Sequence, residues 1–229
     1  MPTRASPEHP PATWRGYPPG FWPAVVCGLS LGALAGCPST SVYRTADPVK
    51  QGAWQVGVSA DLGAFSDVEQ QTRSPAGSVE LTVRRGLTDN VDLGVKLYTF
   101  GLEANATWRV RKRRWSWALA PYVAGLRTAN TLGSTRALHL FTGSAVIASR
   151  PLSTRWTFAT GPFVGYGLYQ PETGGVAHGV WLGGFAHFDR AVGKRSHITP
   201  ELGLYRVVVG EVPVRGAAVR LGAAWRIDL

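Results

Sequence analysis

The chain has 229 residues, of which 45% are hydrophobic and 17% charged, with 28 Gly, 9 Trp, 2 Cys and 1 Met. That length suits one domain plus a leader, and no run reaches the roughly 18 to 20 apolar residues that a membrane-crossing helix needs. The net charge of +10 raises nucleic acid as a partner, but Lys and Arg are spread singly apart from Arg109 to Arg114, and nucleic-acid binding is set aside because it needs a contiguous basic face.

Residues 1–36 read as a signal peptide. Arg4 and Arg15 precede an apolar segment from Phe21 to Leu34. A positive flank, a short apolar core and small residues before a cut are the parts of a secretory signal. The run Leu34-Ala35-Gly36-Cys37 resembles the lipobox of bacterial lipoproteins. The resemblance implies that Cys37 becomes the first mature residue and carries acyl chains. Cys27 falls in the removed part, so the mature chain would hold one Cys and no disulfide. Acylation accounts for a lone Cys in an oxidising compartment.

Residues 37–51 show no period and read as a lipid-anchored tether. From 52 onward alternation dominates. Trp54, Val56, Val58, Ala60 and Leu62 share one face, and Ser66 to Gly77 reads as a polar loop. Val79, Leu81 and Val83 then alternate with Glu80, Thr82 and Arg84. After the reversal Thr88-Asp89-Asn90, Val91, Leu93, Val95 and Leu97 alternate with Asp92, Gly94, Lys96 and Tyr98. This is an antiparallel hairpin with one apolar and one polar face. After the short reversal Thr99-Phe100, a strand from Gly101 to Val110 leads to the basic turn Arg111 to Arg114. The next strand, from Trp115 to Val123, is followed by a polar loop from Arg127 to Arg136. Leu138 to Ala148 reads as a strand whose two faces are not distinguishable. Strands at 156–166, 178–191, 198–205 and 219–229 complete the chain, separated by turns and loops such as Pro151 to Thr154, Gln170 to Gly175 and Gly193-Lys194.

That makes about ten strands of roughly nine to eleven residues, the length a tilted strand needs to cross hydrocarbon. The mature chain shows no helical period that could cover a sheet. A closed ring in lipid satisfies every backbone N–H and C=O. The expected fold is therefore all-β, an antiparallel up-and-down transmembrane β-barrel over residues 52–229. Its connections alternate between tight and long, Thr99-Phe100 excepted. The even strand count puts both termini on one side, the periplasmic one. Trp54, Trp108, Trp115, Trp117, Trp156 and Trp225 fall at one end of the strands, as an interfacial aromatic girdle.

These patterns, over residues 52–229, resemble the Gram-negative outer-membrane barrel family. The last strand, with Trp225, Ile227 and Leu229 at alternate places, is similar to the signal read by barrel-insertion machinery. The resemblance implies outer-membrane insertion. The implied partners are outer-membrane lipids and the barrel-insertion and lipoprotein-processing machineries.

The polar faces carry Glu80, Arg84, Asp92, Lys96, Glu103, Arg109, Glu201, Arg220 and Arg226. In a small barrel such residues are expected to pair across the lumen and plug it. The alternative is a narrow, anion-preferring pore. His139, Ser144, His178, His187 and His197 show no spacing that suggests a nucleophile with its base. No catalytic residue, metal site, phosphate loop or cofactor is expected. The expected role is structural or surface-interacting, without catalysis. A small passive pore or amphiphile transporter is the runner-up. A soluble lipocalin-like periplasmic barrel, with its faces inverted, is the third reading.

Overall fold

The computed structural model describes residues 41–67, 72–98, 101–129, 136–171, 174–210 and 216–229. The signal peptide 1–36 and Cys37 lie outside these residues. The ten described strands are β1 (Trp54–Asp67), β2 (Thr72–Thr88), β3 (Val91–Tyr98), β4 (Gly101–Lys112), β5 (Ser116–Ala129), β6 (Arg136–Pro151), β7 (Trp156–Pro171), β8 (Ala177–Ala191), β9 (Ser196–Gly210) and β10 (Gly216–Asp228). Each strand pairs antiparallel with its sequence neighbours, and β1 pairs with β10 to close the barrel. Val58 sits opposite Leu81 on one side and Trp225 on the other. The end at which β1 begins and β10 finishes is called proximal here, and the opposite end distal.

Alternation sorts the two faces. Leu81, Leu93, Val95, Leu97 and Leu221 face outward and are exposed, whereas Glu80, Asp92, Thr107 and Thr199 face inward and are buried. The apolar rows thus lie on the outer wall, the reverse of a soluble barrel that encloses an apolar ligand. No helix among the described residues is long and apolar enough to cross a membrane, which says nothing of crossing by strands.

The ladders run further than the apolar pattern predicts. β2 has 17 residues, and the stretch expected as a polar loop from Ser66 to Gly77 continues as a hairpin paired up to Asp67 and Thr72. Antiparallel pairing is made by backbone groups, so polar side chains do not stop it. β6, whose faces the sequence leaves unsorted, turns Ala145 and Ile147 inward and Leu138 and Leu140 outward.

Residues 41–50, expected as part of a tether, do not stand outside the wall. They run through the lumen without regular secondary structure, and Ser41, Tyr43, Arg44, Ala46 and Val49 are buried there. The chain leaves the lumen at Gly86 of β2. Ala53 N–H donates to the Lys50 carbonyl at 3.0 Å, and Gly52 N–H to the Gly86 carbonyl at 2.9 Å. A Cβ at position 86 would stand 2.0 Å from the Lys50 carbonyl oxygen. Only glycine lets the segment cross the wall so closely.

Candidate functional site

Among the described residues, charge, burial and backbone strain converge in the lumen. Its wall has two halves. On β1–β4 and β9–β10 the inward residues are mostly charged or polar, with Val207, Ala218 and Ala224 among them. On β5–β8 they are mostly small or apolar: Ala118, Ala120, Ala145, Ile147, Ala159, Phe163 and Phe185 form a buried apolar cluster with Ala46 of the segment, and Val42 and Tyr205 pack against it, while Ser149 of β6 and His187 and Asp189 of β8 are buried polar residues of the same half. The small side chains of β5–β7 leave the room that the segment fills, since an unfilled gap forfeits contact energy.

On the polar side each turn of the segment is bonded to the wall. Lys96 Nζ donates to the Ser41 carbonyl at 2.8 Å and to its hydroxyl at 2.9 Å, and the Ser41 hydroxyl donates to Glu80 at 2.7 Å. Glu201 accepts the N–H groups of Val42 and Tyr43, at 3.0 and 2.7 Å. Arg44 donates to Asn105 Oδ1 at 2.8 Å. Ala46 N–H donates to Ser149 Oγ at 3.1 Å, and Val49 N–H to Asp92 at 2.8 Å. An irregular backbone carries N–H groups that no strand satisfies, and where buried each would cost free energy if left unpaired. The wall supplies their acceptors.

Tyr43 has φ of +40°, a conformation that costs a bulky residue of order 1–3 kcal/mol. Its ring lies beside the Arg220 guanidinium, 5.6 Å from ring centre to Cζ, and its hydroxyl donates to the Ala60 carbonyl at 3.4 Å.

The residues expected to form an interior network are placed as follows. Arg84 pairs with Asp92 at 2.5 Å. Lys96 lies 3.5 Å from Glu80 and 3.8 Å from Glu103. Arg220 pairs with Glu201 and Arg226 with Asp189. Arg109 stands apart at the proximal rim, where it pairs with Asp47 of the segment at 2.9 Å. Asp61, Asp189 and Arg44 join the buried set. Among the described residues the buried charges are then six acids (Asp61, Glu80, Asp92, Glu103, Asp189, Glu201) and five bases (Arg44, Arg84, Lys96, Arg220, Arg226), so the lumen is close to neutral.

Of the histidines, His187 Nδ1 lies 3.1 Å from Glu201 and His197 Nδ1 3.1 Å from Asp189, so both are engaged by carboxylates. His139 packs between the rings of Phe141 and Tyr169. Among the described residues no three His, Cys, Asp or Glu stand close enough together to hold a metal ion. The cavities beside the segment amount to about 30 and 20 Å³, room for single waters.

On the outer wall Trp54, Trp108, Trp117, Trp156 and Trp225 are exposed near the proximal end. Trp115, in the turn after β4, is half-buried and packs edge-on against Phe158.

The search of family models found no match, and neither did that of curated proteins. Among solved structures, the chain is similar to Neisserial surface protein A (12% identity, TM-score 0.46, covering 77% of this chain and 99% of that one). It is also similar to an outer membrane channel from Pseudomonas putida F1 (11% identity, TM-score 0.47, covering 85% and 100%). A third is the outer membrane protease OmpT from Escherichia coli (6% identity, TM-score 0.44, covering 77% and 97%).

Proposed function

We propose that the protein is an occluded outer-membrane β-barrel lipoprotein that works without catalysis, as a structural or surface-interacting element. One observation carries the reading: residues 41–50 fill the lumen and are bonded to both halves of its wall. A passage for solute would first have to displace a segment fixed by Glu80, Asp92, Asn105, Ser149, Lys96 and Glu201. The nearly balanced charge of the interior speaks in the same direction, because an anion path needs uncompensated cations. Support for the membrane setting comes from the exposed large apolar side chains that every strand turns outward, where a soluble monomer keeps such patches small, and from the level of Trp beneath the proximal turns. In this reading the proximal end, where β10 finishes, is periplasmic; Ser41 stands deep in the lumen beside Glu80 and Lys96, so the expected placing of both termini at that end is kept for the C-terminus alone. Acylation of Cys37 rests on the run Leu34-Ala35-Gly36-Cys37, and Cys37→Ser is expected to abolish labelling by fatty acid.

The deciding measurement is conductance of the purified chain in planar bilayers. Silence across salt and voltage is expected. Discrete steps that scale with salt would instead make the protein a small pore.

A further inference from the structure

Sequence scatters the basic residues, but the barrel gathers them. β4 ends at Arg111 and Lys112 and is followed by Arg113 and Arg114; the turn before β7 carries Arg155; the turn before β9 carries Lys194 and Arg195, and all seven are exposed. The four proximal connections hold five bases and one acid, Asp89. The five distal connections hold, by sequence, Glu69, Glu172 and Glu211 against Arg215. By sequence the distal strand ends add Arg73, Arg127, Arg136 and Arg206 against Asp67, and the proximal strand ends add Arg85, Arg111, Lys112, Arg150 and Arg190 against Asp228; with the interior nearly neutral, most of the basic excess lies at the proximal rim.

The rim is one surface, because backbone bonds tie its turns to neighbouring strands. Ala191 N–H donates to the Arg155 carbonyl at 2.9 Å, Asp228 N–H to the Arg195 carbonyl at 2.8 Å, and Arg109 N–H to the Asn90 carbonyl at 2.8 Å. It also stands directly on the Trp level. Arg85 lies over the Trp54 ring at 5.1 Å and Arg190 over the Trp156 ring at 5.2 Å. Indole rings settle at the boundary between acyl chains and headgroups. Guanidinium groups stacked on them, and those in the turns just beyond, therefore lie at phosphate depth.

We propose that the proximal rim binds the phosphates of anionic phospholipids in the adjoining leaflet. Arg offers paired donors that match a phosphate, and a ring of cations concentrates anionic headgroups around the barrel. Duplex nucleic acid is the less favoured partner, because the rim is contiguous with an apolar wall that faces hydrocarbon. The inference rests on the membrane reading of that wall, and the following test separates the two.

The full chain is reconstituted in vesicles, and its Trp fluorescence is quenched with brominated phosphatidylglycerol or brominated phosphatidylcholine in competition. At low salt phosphatidylglycerol is expected to be preferred about three- to tenfold, and the preference is expected to fall toward one at 0.5 M salt, where the Debye length is only about 4 Å. Arg113→Gln, Arg114→Gln, Lys194→Gln and Arg195→Gln, all exposed turn positions, are expected together to remove most of it without loss of the folded barrel. Equal quenching by both lipids at low salt would overturn the inference and leave the membrane reading intact. Quenching by neither would overturn both. A preference unmoved by salt or by the four substitutions would also sink the rim, as would tight binding of duplex DNA with no lipid preference.

Discussion

The Glu201 carboxylate receives the N–H of Tyr43 at 2.7 Å from inside the barrel. The preceding N–H, that of Val42, reaches the same carboxylate. Two successive N–H groups converging on one anion, with one residue in the left-handed region, form a backbone nest. Glu201 also meets Arg220 and His187, so one buried carboxylate joins the segment to β8 and β10. Glu201→Gln would leave Arg220 without its nearest counter-charge. A loss of about 3–5 kcal/mol is expected, read as a lower urea midpoint for the folded barrel. Asp47→Asn, at the exposed rim pair with Arg109, is expected to cost about 0–1 kcal/mol.

Replacing residues 41–49 by an equal length of Gly and Ser keeps the chain connected to β1 but removes Tyr43, Arg44 and the apolar contacts of Val42 and Ala46. Conductance steps are expected to appear in planar bilayers where the unaltered chain shows none. Continued silence would mean that the wall side chains alone close the lumen.

Gly222 and Tyr43 occupy one place. A Cβ at position 222 would stand 1.8 Å from the Tyr43 hydroxyl and 2.7 Å from Asp61 Cβ. Gly222→Ala is expected to destabilise by about 1–3 kcal/mol, as overpacking does. Tyr43→Phe in the same chain removes the first clash, and a double-mutant cycle is expected to recover part of the loss. Strict additivity in thermal unfolding would disprove the contact.

The outer wall has its own test. Leu221 lies midway along β10, faces outward and is 62% exposed. Leu221→Arg is expected to cost about 2–4 kcal/mol in bilayers, while Ala217→Arg, at the distal end of the same face, should cost about 0–1 kcal/mol. Equal, negligible costs for both would place this wall in water.

Strand number and face were legible because alternation is a local signal. Glu80, Asp92 and Lys96 are inward for the same reason that Leu81, Leu93 and Leu97 are outward. The segment in the lumen was not legible from its own residues. Ser41 to Lys50 has no period, and its bonds reach partners as far away as Glu201. The signal was present in the wall instead. Ala118, Ala120, Ala145 and Ala159 are too small to meet across ten strands, and their side of the lumen needed a filler. The basic rim was missed because residues scattered along the sequence are brought to one level only by the up-and-down order of the strands. Alternation alone does not give Arg109 its partner: it shares the inward face of β4 with Glu103 and Asn105, and its height at the proximal end brings it to Asp47 of the segment.

The threaded stretch also constrains how the molecule is put together. It is continuous with β1, yet it bonds to side chains of β2, β3, β4, β6 and β9. Either the sheet wraps about its own beginning and seals at the β1–β10 seam, or everything ahead of Ser41 must be drawn into a finished cylinder. The first route makes residues 41–50 a mandrel for assembly. A bulky fusion joined just before them would therefore hinder biogenesis, whereas one joined after Leu229 would hang free of it.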